Sequence, residues 1–130
     1  MRYRSLLSVA ALAALVSLAG ASCLSPTLPL PPPDVPSSII AGATPGTWEV
    51  IGDCEPGAEV MVVNNVTGQG VVTTDLHQTG TYHVELQGAL CTWATVTEDV
   101  GGELSSGTQF QLAAWAPGDP GDPTNNDACQ

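Results

Sequence analysis

Residues 81–87 read TYHVELQ. Tyr82, Val84 and Leu86 alternate with Thr81, His83 and Glu85. Successive side chains of a strand point to opposite faces, so this run predicts a half-buried strand with one apolar and one polar face. The pattern decides the class of the fold, because runs of the same kind flank it on both sides. Residues 77–80, HQTG, form a turn into it, and residues 70–76, GVVTTDL, supply the strand before. Residues 58–65, AEVMVVNN, make the strongest apolar run, and NNVTGQG leads out of it with Asn and Gly, which accept positive φ.

Further upstream, GTWEVIG at 46–52 alternates, with Trp48 and Val50 on one face and Glu49 and Ile51 on the other. SSIIA at 37–41 predicts a first, edge strand. Downstream, ALCTWATVTED at 89–99 places Thr92, Ala94 and Val96 opposite Cys91, Trp93 and Thr95. VGGELSSG at 100–107 is a polar loop, and TQFQLAAW at 108–115 closes the series. No stretch of the body carries a helical period. Short strands separated by turns at this spacing predict an all-β fold with seven antiparallel strands. Two facing sheets are expected, because a lone open sheet leaves one apolar face uncovered.

The N-terminal third reads differently. Residues 6–21 are almost wholly Leu, Ala, Val, Ser and Gly, with Arg2 and Arg4 just upstream. A basic tip, a short apolar run and small residues at its end make a secretory signal peptide. The run is shorter than the roughly 18–20 residues that cross a bilayer. Two cleavages fit. Ala19-Gly20-Ala21 suits ordinary processing before Ser22. GASC at 20–23 resembles a bacterial lipobox, which implies cleavage before Cys23 and its lipidation. Gly20 departs from the large aliphatic residue usual three positions before that cysteine. The expected organisation is a lipoprotein-type signal peptide over 1–22 and a lipidated Cys23 with a Pro-rich tether over 23–36. A β-domain follows over 37–115, then a disordered acidic tail over 116–130.

LSPTLPLPPPDVP at 24–36 holds six prolines in 13 residues. Proline has no N–H to give a sheet or helix, so a polyproline-type rod is expected, rising about 3 Å per residue. On an anchored Cys23 it would lift the domain roughly 30–45 Å from an outer membrane or cell surface.

Arg2 and Arg4 are the chain's only Lys or Arg residues, against 13 acids. The exported chain therefore repels phosphate backbones, which excludes nucleic acid as a partner. An anionic lipid surface is disfavoured for the same reason. Cations and basic partners remain.

The stretch GDCEPGAEVMVVNN–TGQG–VVTTDLHQTGTYHVELQ, followed by TWATVTEDVGGELSS, resembles a bacterial immunoglobulin-like domain of the adhesin type. The carboxypeptidase-regulatory-type sandwich carries a similar E-P-G-A turn. The resemblance rests on Gly52, Glu55, Pro56, Gly57, Ala58, Val60, Asp75, Gly80, Tyr82, Asp99, Gly102 and Ser105. The turn DLHQTG is longer here than in that family, and the module occurs once. The resemblance implies an immunoglobulin-like seven-stranded β-sandwich that presents a non-catalytic binding or structural module. Pro56 and Gly57 suit the two corners of a type II turn.

An exported domain of this size is expected to use disulfides. With Cys23 lipidated, Cys54, Cys91 and Cys129 remain. Cys54–Cys91 is the favoured pair, both lying inside the domain. Against it, immunoglobulin topology sets those two strand ends at opposite poles, and Cys129 on the tail can reach either. With Cys23 unlipidated, two bridges are open.

Asp53 and Glu55 flank the Pro-Gly corner, and Glu98, Asp99 and Glu103 lie in TEDVGGE. In immunoglobulin topology these loops share a pole. Their carboxylates are hard oxygen ligands of the kind calcium takes, so these five residues are the candidate metal set. No other cofactor is expected. Trp48, Trp93 and Trp115 suit either a carbohydrate platform or the core. His77 and His83 lack the serine elbow, activated cysteine or paired carboxylates of a hydrolase, so no enzyme is expected. The partner class left open is a protein or a carbohydrate. The alternative to a surface lipoprotein is a secreted, soluble accessory or adhesion domain.

Overall fold

A computed structural model describes residues 28–130; the signal segment and Cys23 lie outside the described residues. Eight strands run in the order β1 (Ser38–Ala41), β2 (Thr47–Asp53), β3 (Glu59–Asn64), β4 (Gly70–Thr74), β5 (Thr81–Gln87), β6 (Trp93–Val100), β7 (Glu103–Leu104) and β8 (Thr108–Gln111). They form two antiparallel sheets. One has the order β1-β2-β5; in the other, β4-β3-β6 is extended on the far side of β6 by β7 and β8.

The alternating runs are strands because each has an inner face to bury. On β5, Tyr82, Val84 and Leu86 point in, and on β2, Trp48 and Val50 join them. Val60 and Val62 of β3, Ala94 and Val96 of β6, and Phe110 of β8 meet these from the second sheet in one cluster. Burying such side chains contributes about 1.5–3 kcal/mol each, which holds the two layers together.

The chain departs from the sequence-based expectation in four places. There are eight strands, not seven, because VGGELSSG is a hairpin. Gly101 and Gly102 both take positive φ, and Asp99 Oδ1 accepts the Gly102 N–H at 2.7 Å. Glu103 and Leu104 can then pair back onto Val100 and Asp99. At the other end of β6, Ala89–Thr92 turns rather than extends: Thr92 N–H bonds Ala89 C=O and Cys91 has φ 62°.

The tail is not disordered. Gln111 N–H donates to Pro123 C=O at 2.7 Å, and buried Asn126 donates its side-chain amide to Ala114 C=O. Nor is the described part of the proline run a free rod. Pro33 and Pro36 are buried, Thr108 Oγ1 donates to Pro33 C=O, and Leu30 N–H donates to Glu103 Oε1. Lacking N–H groups, these prolines serve as apolar rings and acceptors. The segment is a strap from β1 across the end of the sandwich to β7 and β8.

Candidate functional site

The strap crosses the pole where β2 ends and β3 begins. There the chain passes from one sheet to the other through Cys54 and the turn Glu55–Ala58. Ala58 N–H bonds Glu55 C=O, and Gly57 has φ 84°, a value that favours glycine at the second corner. Asp75, 7% exposed, fixes this turn from the side. Its two oxygens accept N–H groups from Gly57, Thr79 and Gly80 and the hydroxyl of Thr79. The Thr79 N–H above all, then those of Gly80 and Gly57 and the Thr79 hydroxyl, hold the Asp75 carboxyl down to about 2 against its burial.

Beneath the strap lies a cleft of about 280 Å³ lined by Pro31, Pro32, Pro33, Asp34, Asp53, Cys54, Glu55 and Glu98. Glu98 is 3% exposed, because it takes an inward position on β6 in line with Ala94 and Val96. Its Oε2 accepts the Glu55 N–H at 2.9 Å, and its own N–H donates to Ser105 Oγ. No hydrogen bond from a described residue meets Glu98 Oε1. Tyr82 stands behind the Asp53–Cys54 wall. A methyl group on Gly52 would meet its ring and hydroxyl, and that hydroxyl is buried without a hydrogen-bond partner. Burial first, then the neighbouring Cys54, Asp53 and Glu98, push the Tyr82 phenol up.

The cleft brings together three of the five residues in the expected calcium set: Asp53, Glu55 and Glu98. Asp99 and Glu103 are occupied elsewhere, by Gly102 N–H in the hairpin and Leu30 N–H in the strap. Among the described residues, no three His, Cys, Asp or Glu side chains converge as a metal would need.

The cysteine pairing is corrected. Cys91 bonds Cys129, with Cα atoms 5.4 Å apart, and Cys54 is free. β2 runs from Thr47, opposite Gln87, to Asp53, opposite Thr81. Cys91 therefore lies at the Thr47 end and Cys54 at the Asp53 end, separated by roughly 20 Å at about 3.3 Å per residue. A bridge needs Cα atoms within about 7 Å. Burial, followed by Asp75, Glu98, Asp53 and Glu55, raises the Cys54 thiol to about 11.

The three tryptophans occupy separate places. Trp48 is in the core with its indole N–H on Gly88 C=O. Trp115 bridges its backbone to Ile39. Trp93, 39% exposed, stands on the outer face of β6. His83 Nε2 lies 3.3 Å from Glu49 on the outer face of the first sheet, and His77 is exposed in its turn.

The strap's part in the site was hidden in the sequence, since a proline run gives no periodic signal of where it docks. Asp75 was visible only as a member of a resembling motif. Comparison of the chain with protein-family models, curated proteins and solved structures found no match.

Proposed function

We propose that this chain is an exported surface lipoprotein. It would be anchored through Cys23 and would present an immunoglobulin-like module that binds or supports a partner without catalysis. The observation that carries the export reading is the Cys91–Cys129 disulfide, since such bridges persist in oxidising compartments. The strand neighbours β1-β2-β5 and β4-β3-β6-β8 support the immunoglobulin-like reading, being those of strands A-B-E and C′-C-F-G in that fold. The raised thiol of Cys54 argues against this cysteine as a nucleophile.

The docked strap alters the geometry of anchoring. Among the described residues, Leu30 is the first that pairs with the body, and seven steps of chain separate it from Cys23. Such a stretch reaches at most roughly 25 Å. The module then stands close to its membrane, with the acidic pole near the anchor.

The experiment is the intact mass of the mature protein from a membrane fraction, before and after reduction. A start at Cys23 carrying acyl chains supports the anchor. A start at Ser22 without lipid makes this a secreted soluble domain. A mass unchanged by reduction removes the disulfide and the export argument with it.

A further inference from the structure

Folded chains cover, shorten or charge the edges of their sheets, because an open edge invites another strand. β1 is closed where Ile39 and Trp115 exchange both backbone hydrogen bonds. At β8, Gln111 N–H is held by Pro123 C=O, and Thr108 Oγ1 donates to Pro33 C=O. β4 has five residues, and Leu76 N–H takes its Thr74 C=O. β5 is different. It has seven residues, lacks proline, and ends the sheet order β1-β2-β5. Its neighbour in the other sheet, β4, pairs only with β3.

The pairing with β2 fixes which groups of β5 face outward. Cys54 N–H donates to Gly80 C=O at one end of that pair, and Gly88 N–H to Gly46 C=O at the other. Antiparallel partners alternate between bonded and non-bonded positions, so Tyr82, Val84 and Leu86 spend their backbone groups on β2. Those of Thr81, His83, Glu85 and Gln87 point off the sheet. Of these backbone groups, only Gln87 C=O has a described partner, the Asn64 side-chain amide. A groove of about 420 Å³ lined by Gln69, Gly70, Val71, Glu85, Leu86 and Gln87 keeps this edge open to approach.

The side chains select the occupant. The strand is symmetric in chemistry about Val84: His83 and Glu85 flank it, Tyr82 and Leu86 lie beyond, and Thr81 and Gln87 close it. A second copy turned about a two-fold axis through Val84 sets its Glu85 opposite His83 and its His83 opposite Glu85. The same register brings the outward backbone groups of these residues face to face. Within its own sheet Glu85 is poorly served. It stands directly opposite Glu49 across the β2–β5 pair, and His83 Nε2 lies 3.3 Å from Glu49. Like charges directly opposite destabilise a pair of strands, and opposite charges stabilise it. The described chain holds no Lys or Arg, so a histidine is the cation that another copy can bring.

We infer that β5 is a self-association edge. Two copies pair antiparallel through Thr81–Gln87, with His83 of each opposite Glu85 of the other. The contact is isologous and closes at a dimer. It joins the two β1-β2-β5 sheets into one continuous sheet, and it stands apart from the question of the anchor.

The test uses the mature full chain and two variants, Thr81→Cys and Gln87→Cys, both at exposed positions. In this register position 81 of one copy lies opposite position 87 of the other. Their Cα atoms are then about 5.5 Å apart, within reach of a disulfide. Position 81 of one copy and position 81 of the other are roughly 20 Å apart. Mild oxidation of the mixed variants should therefore give a disulfide between positions 81 and 87, identified by peptide mass spectrometry. Neither variant alone should bridge at its new cysteine. Sedimentation equilibrium of the parent should show a monomer–dimer equilibrium between about 1 µM and 1 mM, since one strand pair is a small interface. Glu85→Lys sets an ammonium against His83 twice across the axis and should weaken the dimer about tenfold. Adding His83→Glu to it reverses the polarity and should restore association. Val72→Glu charges the exposed face of β4 and should leave association unchanged.

A parent that stays monomeric over that range overturns the inference. So does a bridge between two copies of position 81, which breaks the register. Loss of the dimer in Val72→Glu moves the contact to β4 and overturns it as well. A dimer indifferent to Glu85→Lys, or a double variant no tighter than Glu85→Lys, removes the charge pairing on which the choice of a second copy rests.

Discussion

Asp75 and Gly57 are joined across 18 positions of sequence: the Asp75 carboxylate accepts the Gly57 N–H at 3.2 Å. One side chain thereby holds the turn between β2 and β3 and, through Thr79 and Gly80, the turn into β5. Gly80 C=O in turn accepts the Cys54 N–H at 2.9 Å. The two turns close on each other around a single carboxylate. That closure sets where Cys54 and Glu55 stand, and so shapes one wall of the acidic cleft.

Removing this carboxylate should loosen both turns together. Asp75→Ala leaves three N–H groups without their acceptor, and a fall in Tm of about 5–10 °C is expected. The pH dependence has a fixed sign. The Asp75 carboxyl is held at about 2, below its ordinary 3.8. Its stabilisation is therefore complete above its ordinary value and is lost as pH falls towards 2. Thermal melts of the parent and Asp75→Asn should differ most above pH 5 and converge near pH 2. A gap that stays constant with pH would show that the charge is not what binds the turns.

Cys54 should be a slow thiol. Burial and the surrounding acids lift it to about 11 from 9.0, which cuts its thiolate at pH 8 by about a hundredfold. Alkylation by iodoacetamide should slow by that factor relative to the urea-unfolded chain. Glu98→Gln should restore part of the rate by removing one of the opposing charges. Native labelling at the unfolded rate would show that the thiol is neither shielded nor surrounded by charge.

The strands were legible where burial imposes a period of two. TYHVELQ reveals its inner face because Val84 sits between the polar His83 and Glu85, and GTWEVIG does so because Trp48 and Val50 flank Glu49. The two-residue β7 was not legible, since Glu103 and Leu104 are both exposed and only the paired glycines before them mark the hairpin. The tail looked disordered because its composition is that of a linker. Its order comes from particular pairs, Gln111 with Pro123 and Asn126 with Ala114, which composition does not encode. The acidic pole was legible as two loops meeting, and Glu98 on Glu55 N–H is that meeting. Which carboxylates share it was not, because an even–odd step along β6 sends Glu98 inward and Asp99 outward.

The Tyr82 hydroxyl offers a separate test of packing at this pole. It is buried and unpaired, so Tyr82→Phe removes an unmet polar group without opening a cavity. The variant should be as stable as the parent or about 1 kcal/mol more stable. Gly52→Ala acts oppositely, because the added methyl meets the Tyr82 ring across the β2–β5 pair. Overpacking of this kind costs about 1–3 kcal/mol. Urea titrations of both variants read these effects. A destabilised Tyr82→Phe would reveal a hydrogen bond that the hydroxyl makes in solution.

The Cys91–Cys129 bridge closes a loop with a sequence separation of 38. Chain entropy alone would make it worth about 4 kcal/mol. Its structural consequence is local to one sheet edge. Beyond β8, the Gln111 N–H is bonded to Pro123 C=O, while the next amide, Leu112, bonds Thr92 C=O within the body. The tail thus covers an edge that would otherwise be open for pairing with another strand. In Cys129→Ser, hydrogen exchange at the Gln111 amide should speed up, while the Leu112 amide slows exchange as before. Both speeding up together would mean that the bridge supports the whole fold. Neither changing would mean that Pro123 and Asn126, both buried, hold the tail without it. If Gln111 alone is released, trypsin-independent proteases should cut within 116–130 while leaving 37–115 intact, which ties the edge's protection to the redox state of this one pair.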